Sequence, residues 1–101
     1  MAKQMDAIRI KQARGQLLVN LNLFYPSPVK LSTLYRTVCG DPLYGRALFE
    51  KDIAYFLDKR YIIAVDDVLG GMPEFMDKVV KLTASGKEIA EGTATDPALE
   101  I

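Results

Sequence analysis

Apolar residues early in the chain recur at steps of three and four: Ile10, Ala13, Leu17, Leu21 and Phe24. That spacing puts them on one side of an α-helix over about residues 4 to 24. Ile8, Leu18 and Leu23 widen the stripe, while Arg9, Gln12, Gln16 and Asn20 fall away from it. Tyr25-Pro26-Ser27-Pro28 ends the helix, because proline removes a donor and drives the preceding residue out of helical space. Val29 to Leu31 reads as a short extended piece. Ser32 then fits the N-cap of a two-turn helix that buries Leu34, Tyr35 and Val38, with Gly40 and Asp41-Pro42 ending it. A third helix is predicted over about 44 to 60. Its apolar side is Leu48, Phe49, Ile53, Phe56 and Leu57; Arg46, Glu50, Lys51, Asp52, Ala54, Tyr55 and Asp58 occupy the other faces.

At Tyr61 the period changes from 3.6 to 2. The β-branched runs around 61–66 and 78–83 predict two antiparallel strands, with residues 67–77 as an exposed tip. "ASGKEIAEG" follows as a short helix, capped by Thr83 and stopped by Gly92. Glycine weakens a helix, so Gly86 in the first turn implies a close approach to another backbone. Leu17, Leu21, Leu34, Phe49, Ile53, Phe56, Leu57, Ile62 and Leu82 form the expected core. Residues 93–101 have no periodic pattern and are expected to be a mobile tail outside a single domain of residues 1–92. The fold class is α+β, mainly helical.

Half of the 101 residues are hydrophobic and 26% are charged, the balance of an ordered soluble domain. No apolar run approaches the ~20 residues of a membrane span. The N-terminal stretch lacks the apolar centre of a secretory signal. The single cysteine, Cys39, fits small core packing in a reducing cytoplasm. With no histidine and one cysteine, nucleophile pairs and nitrogen–sulfur metal sites are missing. The expectation is a protein that is not an enzyme and carries no cofactor or metal. The net charge is zero, but it is unevenly spread. Residues 1–60 hold ten Lys/Arg against five Asp/Glu, and residues 61–101 hold three against eight. Such polarity suits an anionic partner or head-to-tail self-association.

The order of elements, and the phrase Leu57, Asp58, Lys59, Tyr61, Ile62 followed by Leu82, Thr83 and Gly86, resemble winged helix-turn-helix regulators of the MarR and PadR types. The resemblance covers about residues 8–91 and implies a two-stranded wing at about 61–83. It also implies double-stranded DNA as partner, with the third helix in the major groove and the second helix on phosphates. Lys30, Ser32, Thr33, Arg36, Tyr44, Arg46, Lys51 and Tyr55 are the candidate contacts. Arg46 would read a base edge, and Lys30, Arg36 and Lys51 would meet phosphates.

Three departures qualify the match. Arg60 stands where the family usually has glycine, so the corner is not expected to take a positive φ freely. Nine residues after Gly92 are too few for the family's C-terminal dimerisation helix, so a homodimer is expected through the first helix. Finally, Asp66, Asp67, Glu74 and Asp77 outnumber Lys78 around the wing tip. The rival reading is therefore a winged-helix protein-interaction module without DNA binding, such as a phage or prophage accessory protein, with a protein partner at the acidic wing.

Overall fold

The structure, a computed structural model, describes residues 7–38, 44–65 and 74–99. The first residues of the expected first helix, Cys39, Gly40, the Asp41-Pro42 break and the wing acids Asp66 and Asp67 lie outside the described residues. The elements in chain order are α1 (Ala7–Phe24), β1 (Val29–Lys30), α2 (Leu31–Arg36), α3 (Arg46–Asp58), β2 (Ile62–Val65), a 3₁₀ turn (Phe75–Asp77), β3 (Val79–Leu82) and α4 (Ala84–Ala90). The class is α+β and mostly helical. The three strands form one antiparallel sheet in the order β1-β3-β2.

The period switch at Tyr61 produces the expected pairing, from Ile62 opposite Leu82 to Val65 opposite Val79. The extended piece before α2 is a third strand, with Val29 opposite Val80 and Lys30 opposite Val79. Alternation then sends Val29, Ile62, Val80 and Leu82 into the core and leaves Ile63, Val65, Val79 and Lys81 on the outer face.

The core gathers Leu17, Leu21, Leu34, Phe49, Ile53, Phe56, Ile62 and Leu82, each at most 2% exposed. Leu57 corrects the expectation, being 40% exposed. The buried side of α3 is Phe49, Asp52, Ile53 and Phe56. At 100° per residue this face is centred on Phe49 and Phe56 and is turned toward Asp52, which leaves Leu57 at its rim. Leu18, which widens the stripe of the first helix, is fully buried, and α4 packs on α1.

Three further expectations change. Ser32 caps nothing: α2 starts at Leu31, two residues earlier than a Ser32 cap implies, with Lys30 in the N-cap position and no side-chain cap. The C-terminal part of the expected wing tip is folded down, because Phe75 sets its ring against Phe49 in an edge-on contact at 6.1 Å. Arg60 does adopt the left-handed conformation, at φ 60°.

The join from β3 to α4 follows the expected chemistry. Thr83 Oγ1 accepts from the Gly86 amide at 3.1 Å and donates to the Arg60 carbonyl at 2.7 Å. Gly86 lies against the Tyr61 backbone: an added Cβ would overlap the Tyr61 carbonyl oxygen and sit 2.7 Å from Leu82 Cδ1. Gly92 ends this region at φ 79°.

Residues 93–99 have no regular secondary structure, yet they are docked rather than loose. Leu99 is buried, and Asp96 and Ala98 bond to α1, α3 and Tyr61. Polar side chains hold this segment, which is why apolar periodicity does not reveal it.

Candidate nucleic-acid interface

The candidate residues divide into an exposed set and a set committed to the interior. Lys30, Thr33 and Arg36 are exposed, and their three-residue steps put them along one side of the β1–α2 segment. Ser32 is half-buried beside them. α2 joins α3 through Tyr35, whose ring meets Phe49 edge-on at 5.0 Å.

α3 begins at Gly45, an extended N-cap residue (φ −93°, ψ 178°) that supplies no side-chain cap. Arg46, Ala47, Glu50, Lys51, Ala54 and Asp58 are exposed along the helix. Arg46 Nε lies 3.6 Å from Glu50 Oε2, and both side chains are about half exposed. Such a surface pair stabilises by about 0.3–0.5 kcal/mol. Releasing Arg46 to another acceptor therefore costs little. Lys51 lies one turn further on and is also exposed.

Tyr44 and Tyr55 do not join this surface. Tyr44 is 2% exposed and donates its hydroxyl to Asp52 Oδ2 at 2.6 Å. Burial first, and then this hydrogen bond, push the phenol far above its ordinary value. Tyr55 donates to Asp96 Oδ2 at 2.6 Å, and burial and that bond raise its hydroxyl to about 12.

Behind the candidate surface these bonds form two polar knots. In the inner one, Asp52 is 1% exposed and receives Arg14 Nε at 2.8 Å as well as Tyr44. Both of its carboxylate oxygens are satisfied, so the charge is tolerated in the core. In the outer one, Tyr55 and Tyr61 both donate to Asp96 Oδ2 at 2.6 Å, and the Ala98 amide donates to Oδ1 at 2.9 Å. Arg14 links the two knots: it donates to the Ala98 carbonyl at 3.2 Å and lies 5.2 Å over the Tyr55 ring. Burial raises the Asp96 carboxyl, but the tyrosines, the Ala98 amide and Lys59 together outweigh it and hold it below its ordinary value.

Sequence reasoning missed both knots. The sequence reading put Asp52 on an outer face of the third helix, whereas it is buried on the same side as Phe49, Ile53 and Phe56. A cleft of about 260 Å³ lies alongside, lined by Arg9, Gln12, Gln16, Thr37 and Tyr44 among others. In its wall, Gln16 donates to Asn20 and Asn20 to Thr37, tying α1 to the end of α2.

Compared with known proteins, the chain matches no protein-family model, no curated protein and no solved structure. Among the described residues no helix is long and apolar enough to cross a membrane.

Proposed function

We infer that the chain is a winged-helix DNA-binding domain of the kind used in transcriptional regulation. The observation that carries this reading is the order α1-β1-α2-α3-β2-β3, with β1 paired onto the return strand of the hairpin and the N-terminal half of α3 left outward with Arg46 and Lys51. Lys30, Thr33 and Arg36 supply the phosphate-facing side, and Arg46 reads a base edge once it leaves Glu50. Tyr44 and Tyr55 support the surface from behind and take no part in contact. A homodimer through α1 belongs to the same proposal, resting on Ile8 and Leu23, which are 62% and 79% exposed.

The test is a titration of random and selected duplexes at low and near-physiological salt. Lys51→Ala is expected to weaken all duplexes alike and to lower the salt slope by about one. Arg46→Ala is expected to relax preference at one base position, at about 1–3 kcal/mol. No binding even at low salt would remove the DNA reading. The second reading, a protein-interaction module, would then stand. It is favoured by Glu50 and Asp58, which balance Arg46 and Lys51 on α3, and by the exposed Glu74 and Asp77.

A further inference from the structure

We propose that a second copy of this chain covers the outer face of α1, the two helices lying antiparallel with Ile8 of each against Leu23 of the other. The inference rests on the α1 dimer named above and gives it a direction and a register. It draws on no DNA contact.

The two sides of α1 differ sharply. Leu17, Leu18, Asn20 and Leu21 are buried. At about 100° per residue, Ile8, Gln12, Gln16, Val19 and Leu23 share an arc of roughly 80° on the side away from them. Ile8 and Leu23 are 62% and 79% exposed. Gln12 and Gln16 are exposed and Val19 is half-buried. The stripe runs about 22 Å along the helix, and none of its five side chains is charged.

Reversed end to end, the stripe matches itself. A two-fold axis crossing the helix between Gly15 and Gln16 brings Ile8 onto Leu23 of the second copy and Gln12 onto its Val19. The same contacts recur on both sides of the axis, as an isologous interface requires. At the axis the two Gln16 side chains meet. Each gives one N–H to Asn20 Oδ1 at 2.7 Å, and has a second N–H and a carbonyl oxygen to offer its counterpart. Polar side chains at the middle of a helix pair fix its register at some cost in stability.

Charge decides the direction. Arg9, Lys11 and Arg14 are the charged residues of α1, all basic and all in its N-terminal half. Arg14 is drawn inward to Asp52. A parallel pair would set Arg9 and Lys11 against their own copies, and like charges repel. The antiparallel pair sets them against residues 15–24, which carry no charge. In that half Asn22 donates to Glu91 at 3.4 Å. Lys11 therefore approaches a carboxylate of the second copy, one that Lys87 also contacts. The helix dipoles favour the same direction, because each basic N-terminal half lies toward the negative C-terminal end of the other helix.

The test is sedimentation equilibrium of the whole chain without DNA, using Ile8→Glu and Leu23→Lys, alone and mixed. Wild type is expected to dimerise at high micromolar concentration. Each variant alone should associate at least about tenfold more weakly, because both Ile8–Leu23 contacts of its dimer then hold a charge. Mixing the two should restore association: the new carboxylate meets the new ammonium, and the other Ile8–Leu23 contact stays intact. Both positions are exposed, so exchange of core amides should not change. Two weakened variants with no recovery on mixing would overturn the antiparallel arrangement and leave a dimer through α1. A monomeric wild type, or dimers indifferent to both substitutions, would overturn the α1 dimer as well. Duplex binding is measured separately, so its failure leaves this result standing.

Discussion

α4 and the segment 93–99 both follow β3, and they are fastened to the domain by opposite means. α4 is held at the level of the backbone: Gly86 lies on the Tyr61 carbonyl, and Thr83 bridges the Arg60 carbonyl and the Gly86 amide. The last segment is held by side chains, through Asp96 with two tyrosines and Arg14 with the Ala98 carbonyl. Tyr61 serves both, with its carbonyl facing α4 and its hydroxyl facing Asp96. The first attachment depends on shape and so tolerates no added atom. The second depends on charge and so answers to pH.

The comparison breaks most visibly at Gly86. Gly86→Ala forces either α4 or the Tyr61 backbone to move, since the new Cβ meets the Tyr61 carbonyl oxygen, a backbone atom, as well as the buried Leu82 Cδ1. Overpacking of this sort costs about 3 kcal/mol, near the top of its usual range. In a domain of this size that lowers Tm by more than 10 °C, on the order of 4 °C per kcal/mol. Ser85→Ala, one residue away and exposed, is the control and should leave Tm nearly unchanged. Thermal unfolding of the two variants decides it.

Asp96→Asn attacks the other attachment. Hydrogen bonds to a charged acceptor are the stronger kind, and Asp96 is only partly buried, so about 1–2 kcal/mol is expected. The loss should depend on pH in a defined direction. The folded carboxyl titrates below its ordinary value of 3.8. Its stabilisation is therefore complete above about pH 4 and disappears as pH falls through the lowered folded value. On the alkaline side the order is reversed. Tyr55 and Tyr61 titrate above their ordinary value of 10.0, so their share is complete below about pH 10 and fades as they ionise. Denaturant unfolding of wild type and Asp96→Asn across pH should show a constant gap between those limits and a closing gap outside them. A gap unchanged at pH 3 would show that the carboxylate charge is not what fastens the segment.

The same contrast explains what could be read in advance. Glycine in a first helical turn and threonine before it are costly or specific choices, so Gly86 and Thr83 disclosed their contacts. Asp96 lies in Thr-Ala-Thr-Asp-Pro-Ala-Leu, where no period exists, and its partners are 35 and 41 residues away. Asp52 misled for a related reason: a carboxylate on a helix reads as solvent-facing unless Arg14 and Tyr44 are known to reach it. That partnership turned α3 enough to put Leu57 at the rim. Of the eight candidate contacts, the charged residues are exposed as expected. Tyr44 and Tyr55 are held inward by two acids whose positions in space the sequence does not give.

Tyr61→Phe separates the two functions of one residue. It removes the hydroxyl bonded to Asp96 and keeps the backbone under Gly86, so the expected cost is about 1 kcal/mol. In double-mutant cycles, Tyr61→Phe and Asp96→Asn should couple by at least about 0.5 kcal/mol, because they break one network. Tyr61→Phe and Gly86→Ala should add within about 0.5 kcal/mol. Strong coupling in the second cycle would mean that the ring, and not only the carbonyl, fixes α4.

The smallest effect should come from Arg60, and its sign is the point of interest. At φ 60° an L-residue carries about 1–2 kcal/mol of steric cost that glycine avoids. Glycine adds back about 0.5–1 kcal/mol through the extra freedom of the unfolded chain. Arg60 is exposed, and its carbonyl, which accepts from Thr83, is kept by any replacement. Arg60→Gly should therefore stabilise by about 0.5 kcal/mol, whereas Arg60→Val, β-branched and poorly suited to positive φ, should destabilise. Equilibrium urea unfolding resolves the order glycine, arginine, valine. If valine is tolerated as well as glycine, the corner relaxes out of the left-handed region, and the Thr83 bridge to the Arg60 carbonyl should loosen with it.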